Sequence, residues 1–582
     1  MTGPISQSRL IESLQEAAGW PGADRNTVLI LALKLVSARA DAAGSSYFQD
    51  LSERNPADAT AQALAGFFQV RAGDDAEAAM TKLDRAATME PGLPRYFRGL
   101  ALAELLPGRT PSEVAPGATD TARAQQVIAD LEFVLAARDQ FPVALIRAAH
   151  QGLARAYGVV GPHEKAAESL RRAGLGAAAP NGSPTFTSFS LTARDGMRLS
   201  TPRTFSPAPD VHVAQSYDFG DFAFVRTSAG IVAIDAGTSP DRVLAAIADL
   251  GLSDDMPVSH LIFTHSHFDH VGGATALCGP STRVIASAGF PAQAERQSDW
   301  NPPFRYLIGT DARPSFDITP AELISERTSL VIGDTELVLI PVRGGETPDA
   351  LMVHLPASGV LFTGDVMMPY LGVPFTAEGS PEGLLETMRY IRGLAPRQLI
   401  SGHTTLTENF TIEALAGVEP ALTELYEFVL ARIGGNMTLP DILDLIYLPA
   451  LLRDHPVAVA PYLVCRDDFV ARLYHQRTGY WQPDGQGLDP QSDEERAAAL
   501  DLLAGGKAEA FIRAAATLVG QGDLALALEI LGPGLLRHPD SAELAEFRQT
   551  VLVQLMEQRE LLDPFGFLVY AELAGAQLSP VG

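Results

Sequence analysis

Thr264-His265-Ser266-His267-Phe268-Asp269-His270-Val271-Gly272-Gly273 puts four side chains able to ligate a metal within six residues. Just before it, Val258, Leu261, Ile262 and Phe263 form an apolar run of strand length, so the cluster is expected on the turn leaving a strand end. A strand end holds such a loop rigidly. Imidazole nitrogen and carboxylate oxygen suit borderline cations such as zinc, and a donor set without cysteine leaves room for water, as in a catalytic site. The competing interpretation is four polar residues in a solvated loop, and it does not account for the donors that follow downstream.

Working outward, Gly230-Ile231-Val232-Ala233-Ile234-Asp235-Ala236-Gly237 reads as a buried strand ending in an acidic turn, and residues 185–191 and 222–226 also have strand character. Helical spacing covers about 241–250 and 381–393, and short apolar runs at 283–286, 337–340, 351–355, 360–362 and 398–400 alternate with it. This predicts an α/β layer domain over 185–412. Donors end three of its segments: Gly344-Gly345-Glu346-Thr347-Pro348-Asp349, Leu361-Phe362-Thr363-Gly364-Asp365 and Ser401-Gly402-His403. Asp235 is either a carboxylate that fixes a ligating imidazole from behind or a plain turn acid. His260 and His354 fall inside apolar strand patterns and are read as core or edge histidines.

The order HxHxDH, a donor before Thr-Pro, Phe-Thr-Gly-Asp and Ser-Gly-His resembles the metallo-β-lactamase fold over about 230 residues. The resemblance implies a central αββα sandwich in a multidomain α+β chain. One metal would be held by His265, His267 and Glu346, and a second by Asp269, His270 and His403, with Asp365 bridging; Asp269 and Asp365 are the implied catalytic acids. Most of that superfamily has histidine where this chain has Glu346. An acid there is similar to the alkylsulfatase branch. The added negative charge weakens the Lewis acidity of the first metal, so two zinc ions are expected, with manganese or iron as alternatives.

Beyond residue 413 the chain is helical. Residues 439–450, Leu473-Tyr474-His475-Gln476-Arg477-Thr478-Gly479-Tyr480-Trp481, Gly505-Gly506-Lys507 and residues 521–531 resemble the dimerisation domain of class III alkylsulfatases, which implies a homodimer through residues 413–582. Tyr480 and Trp481 are assigned to packing ahead of substrate contact. The family's Arg-rich segment is replaced by Asn301-Pro302-Pro303-Phe304-Arg305-Tyr306, so Arg305 either clamps an anionic head group or is a surface arginine. Val366-Met367-Met368-Pro369-Tyr370-Leu371-Gly372 suits either an alkyl substituent or ordinary core packing.

Residues 1–178 carry Ala and Leu at helical spacing without strand alternation. Ala79, Leu83, Ala86 and Pro91 step by four, three and five, and the first two steps recur at Ala129, Phe133, Ala136 and at Ala166, Leu170, Ala173, as in tetratricopeptide-like helical pairs. Ala527, Leu531, Gly534 and Pro539 show the same steps. The N-terminal array would be a partner-binding groove or a scaffold, and the lack of an aromatic or basic ladder favours the scaffold. Residues 174–184, rich in small residues and breakers, read as a linker.

With 43 basic and 70 acidic residues the net charge is −27, which disfavours a nucleic-acid backbone or an anionic membrane surface as partner. Only Cys278 and Cys465 occur, far apart, so neither a disulfide framework nor a thiolate metal site is expected. The first ten residues lack a basic then apolar leader pattern, and no stretch is apolar enough to span a bilayer, so a cytoplasmic protein is expected. Together these features predict an alkylsulfatase-like hydrolase that cleaves a small sulfate ester or related anionic ester with hydroxide generated at the metals. The alternatives are hydrolysis of another ester, lactone or thioester, and a helical-repeat adaptor with a vestigial site.

Overall fold

The structure is a computed structural model that describes residues 7–107, 117–137, 143–172, 202–252, 257–298, 318–371, 379–479 and 488–559, with short pieces near 185–197 and after 559. The chain forms two compact units that do not follow sequence order. One holds residues 190–490; the other combines 6–189 with 491–582. The 174–184 linker, Arg305 and its neighbours, Tyr480 and Trp481 lie outside the described residues.

The first unit is built on two sheets. In chain order the strands of the larger sheet are β1 (Arg203–Ala208), β2 (Val211–Gln215), β3 (Phe222–Thr227), β4 (Gly230–Ile234), β5 (Val258–Ile262), β6 (Arg283–Ser287) and β7 (Glu322–Ile324), and they lie side by side in that same order. The smaller sheet contains β8 (Thr328–Ile332), β9 (Thr335–Pro341), β10 (Leu351–Leu355), β11 (Val360–Gly364) and β12 (Gln398–Ser401), again in sequential order. Pairing is antiparallel from β1 to β4 and from β8 to β11, where short turns suffice. It becomes parallel at β4–β5, β5–β6, β6–β7 and β11–β12. Helices Pro240–Asp249 and Pro381–Leu394 make the longer β4–β5 and β11–β12 crossovers that parallel pairing requires.

Period-two alternation decides which residue faces which layer. In β3, Ala223 and Val225 point to a core shared by the sheets, with Val213, Ile234, Leu337, Leu339, Val353, Phe362 and Ile400. Phe222 and Phe224 point the other way, into a second core with Val243 and Ala246 of helix Pro240–Asp249 and with Phe290. Each aliphatic or aromatic side chain so buried contributes about 1.5–3 kcal/mol relative to exposure, and β4, covered on both faces, is buried throughout.

In the second unit the helices Asp41–Arg54, Ala59–Ala72, Ala76–Met89 and Leu93–Glu104 pack on their sequence neighbours. Ala79, Leu83 and Ala86 are fully buried, as their spacing predicts. The second proposed repeat is a correction. Helix Ala118–Ala136 buries Ala124, Val127, Leu131 and Val134, while Ala129, Phe133 and Ala136 face solvent. Buried Asp130 sets this rotation, because it accepts from Arg95 and Arg98 at 2.8–2.9 Å, and the Arg95 guanidinium lies 4.0 Å above the Phe133 ring. Leu170 is likewise exposed, and Ala173 lies outside the described residues. Ala527, Leu531 and Gly534 are buried, with Phe511 packed against Gly534.

Candidate metal centre

The site gathers the loops that leave neighbouring strand ends. Strand β5 runs out through Phe263, whose N–H donates to Ile285 O at 2.9 Å, and delivers His265 and His267 into a loop. A single helical turn, Phe268–Val271, follows. It commits Phe268 and Val271 to apolar packing and leaves Asp269 and His270 to face the polar cluster, itself buried. Asp365 follows β11, His403 follows β12 at the N-cap of helix Thr404–Asn409, and Glu346 comes from the loop joining β9 to β10.

The structure brings seven sequence-predicted donors together and leaves His260 and His354 elsewhere. Their ligand atoms form three overlapping groups, His265–His267–Glu346, His265–His270–Asp365 and Asp269–His270–His403, with the atoms of each group within 4.8 Å of one another. Glu346 Oε2 lies 3.2 Å from His267 Nδ1 and 3.5 Å from His265 Nε2. Asp365 Oδ2 lies 3.0 Å from His403 Nε2, 3.4 Å from His270 Nε2 and 3.9 Å from His265 Nε2. Asp269 Oδ2 is 3.4 Å from both His270 Nε2 and His403 Nε2.

The imidazoles are oriented from behind. Asp235 Oδ2 is 3.0 Å from His270 Nδ1 and accepts from Thr264 Oγ1 at 2.7 Å, while Oδ1 accepts the Thr264 N–H at 2.7 Å. Asp235 adopts a left-handed φ of 58°, which aspartate tolerates better than most residues, and this turns its carboxylate under the histidine loop. His403 Nδ1 lies 2.9 Å from Phe219 O. A carboxylate and a carbonyl only accept, so both Nδ1 atoms carry hydrogen, and each ring, on giving up its other proton, would present the Nε2 lone pair to the cluster. Gly402 is required by space. A Cβ there would run into Asp365 Oδ1 and come within 2.6 Å of His270 Cε1.

The electrostatics are those of a place for positive charge. Burial alone would push the His270 imidazole down, but Asp269, Asp365 and Asp235 outweigh it and hold it well above its ordinary value. His403 is likewise depressed by burial and then lifted by Asp365 and Asp269 to about 9. Burial raises Asp269, yet His270 and His403 bring it down to about 2, and the same two rings hold Asp365 well below the usual carboxylate range. Four buried donor atoms, His265 Nε2, His270 Nε2, Glu346 Oε2 and Asp365 Oδ1, have no hydrogen-bond partner. Leaving such atoms unpaired is costly, and a shared cation satisfies them together.

Sequence reasoning missed the turn before β3. Asp218 accepts the N–H groups of Thr238 and Ser239 at 2.9 Å, and Asp221 accepts from Ser216 N at 2.7 Å and from Thr404 Oγ1. Between them Phe219 offers its carbonyl to His403. Burial lifts Asp221 to about 7, offset in part by these hydrogen bonds. The signal was Asp218-Phe219-Gly220-Asp221, two acids around a glycine at a strand start. Val366 to Leu371 are buried throughout, and Gly372 lies outside the described residues.

Residues 216–403 match the Metallo-beta-lactamase superfamily, and residues 438–571 match the Alkyl sulfatase dimerisation family. A linear primary-alkylsulfatase from Pseudomonas sp. (strain ATCC 19151) is 22% identical over 346 residues, covering 53% of this chain and 65% of the relative. A hydroxyacylglutathione hydrolase from Cereibacter sphaeroides is 27% identical over 226 residues, covering 38% and 78%. The solved stereoselective inverting sec-alkylsulfatase Pisa1 from Pseudomonas sp. superposes with a TM-score of 0.54 at 17% identity, covering 64% of this chain and 66% of that one. The chain thus spans just under two thirds of the length of these two alkylsulfatases.

Proposed function

We propose that this alkylsulfatase-like protein of the metallo-β-lactamase fold is a metal-dependent hydrolase that cleaves a sulfate ester or a related small anionic ester. The observation that carries this proposal is the convergence of seven nitrogen and oxygen donors from four separate loops, four of them with buried atoms lacking a hydrogen-bond partner. His265, His267 and Glu346 would hold one cation and Asp269, His270 and His403 the other, with Asp365 between them. Zinc is the first assignment, and the carboxylate at 346 keeps manganese and iron in contention. Bound there, such a pair supplies Lewis acidity and a solvent nucleophile near neutral pH.

The chain's own residues do the rest. Asp235 and the Phe219 carbonyl hold His270 and His403 in the tautomer that turns Nε2 inward. Asp269 and Asp365 set the charge of the site and align the attacking water. His267 and Glu346, whose side chains keep 17% and 12% of their exposure, leave the side from which an ester enters. Arg305 is assigned the anionic head group, which its planar fork suits.

We assign residues 1–178 to a degenerate tetratricopeptide-like scaffold with a partner-binding role held open, 185–412 to the catalytic domain, and 413–582 to a dimerisation domain that makes the protein a homodimer. Two unpaired cysteines support a reducing, cytoplasmic setting. A second activity, thioester hydrolysis, is favoured by the hydroxyacylglutathione hydrolase relatives. The test is elemental analysis of protein expressed with metal, followed by sulfate release from graded alkyl sulfates beside thioester and lactone panels. Bound metal with sulfate release supports the proposal. Metal with thioester cleavage alone shifts it to the second activity, and a metal-free protein defeats both and leaves the helical adaptor.

A further inference from the structure

The match to the dimerisation family starts at residue 438, yet its helix Val459–Thr478 belongs to the same compact unit as the sandwich. Arg472, about two thirds of the way along that helix, donates from Nε to the Gly379 carbonyl at 2.8 Å. The next residue, Ser380, donates its N–H to Gly345 O at 3.1 Å, and Gly345 donates its own N–H to Val366 O at 3.0 Å. A chain of hydrogen bonds therefore runs from the helix to the residue before Glu346 and the residue after Asp365.

The three backbone segments are packed so closely that they have to move together. A Cβ on Gly379 would collide with Leu371 O and come within 2.5 Å of Gly345 O; one on Gly345 would lie 2.8 Å from Val366 O. The same helix also grips the start of helix Pro381–Leu394, since Arg477 Nη2 is 2.8 Å from Glu382 Oε1 and 2.7 Å from the Tyr426 hydroxyl. The β9–β10 loop that carries Glu346 is closed at its base by Val342 N–H to Ala350 O at 3.0 Å and held at Asp349 O by Ser287 Oγ at 2.6 Å, while the segment next to Glu346 takes the contacts above.

We propose that Arg472 is a positioning residue for Glu346, so that the dimerisation-type helix fixes the more exposed half of the metal centre. This rests on the metal-centre proposal above. In R472M the Gly379 carbonyl loses its donor and the Glu346 loop loosens. A partner bonded directly to a ligand is worth about 10–100-fold in metal affinity, and this more remote support is expected near the low end of that range. The expected result by competition with a chromophoric chelator is that one of two metal equivalents weakens by about tenfold or more while the other is unchanged. The visible spectrum of the cobalt-substituted protein should change in one component only, and R472K, which keeps a donor, should restore both. A wild-type protein that binds no metal overturns the metal centre and this inference together. Two equivalents of unchanged affinity and spectrum in R472M overturn this inference alone. Should R472M fail to fold, R472L removes the same donor with a smaller side chain; selective weakening of one equivalent there supports the assignment, and wild-type binding there overturns it.

Discussion

The two halves of the proposed metal centre differ in how they are enclosed. Around Asp269, His270 and His403 every side chain is at most 5% exposed, and the rings lean on Asp235 and the Phe219 carbonyl. At His267 and Glu346 exposure rises to 17% and 12%. In that half, support for Glu346 comes from backbone contacts at Gly345 alone among the bonds traced above. The difference is one of enclosure: one half is buried and its rings are held by protein hydrogen bonds, while the other keeps part of two side chains open to solvent. A low dielectric around the first half strengthens its charge interactions, while solvent around the second screens them.

The largest effect should come from the residue common to both halves. Asp365→Ala should abolish hydrolysis, by about a hundredfold or more, and reduce bound metal in elemental analysis. Equal losses from Asp365→Ala and Glu346→Ala would erase the distinction between the halves. Next, Asp235→Ala should weaken metal binding about 10–100-fold in the enclosed half, whose His270 it holds directly, and less in the other, whose His265 it reaches only through Thr264 Oγ1, seen as two unequal shifts in a chelator titration. A uniform shift of both phases would mean the halves are not separately held.

Proton linkage gives a third, smaller effect. His403 is raised to about 9 from its ordinary 6.5, so before metal binds it carries a proton through neutral pH. Metal has to displace that proton, so affinity in the enclosed half should rise with pH up to about 9, with proton release measurable in buffers of different ionisation enthalpy. The metal-free fold should respond in the opposite sense. A raised histidine stabilises the folded state fully below pH 6.5, and that contribution disappears as pH rises through about 9. Asp269, depressed to about 2 from 3.8, adds stability above 3.8 that is lost as pH falls through about 2. Thermal melts of chelator-treated protein should thus decline on the alkaline side between 6.5 and 9, and metal should remove that decline. The smallest effect belongs to Glu346→His, which should keep activity while moving metal preference toward zinc, as read by competition between zinc and manganese.

Local pattern made most of the sandwich legible. β4 and β11 announce themselves because strands buried throughout read as apolar runs. β1, β2, β7 and β8 were missed: β1, β7 and β8 are edge strands with few buried residues, and β2 is a short interior strand whose apolar run is broken by His212 and Gln215. The helical repeats show the opposite failure. Ala129, Phe133 and Ala136 fit a periodicity, but buried Asp130 and its arginines rotate the helix another way, and a pattern of residue types cannot weigh an ion pair against an apolar stripe.

By itself the sequence determined the donors and their order, because ligand chemistry is a property of residue type and the strand-end turns are short enough to read locally. The tertiary structure alone decided which carbonyls and carboxylates stand behind them. Phe219 and His403, or Arg472 and Gly379, are distant along the chain and meet only when the sheets and helices close, and nothing in their local residue types encodes that meeting.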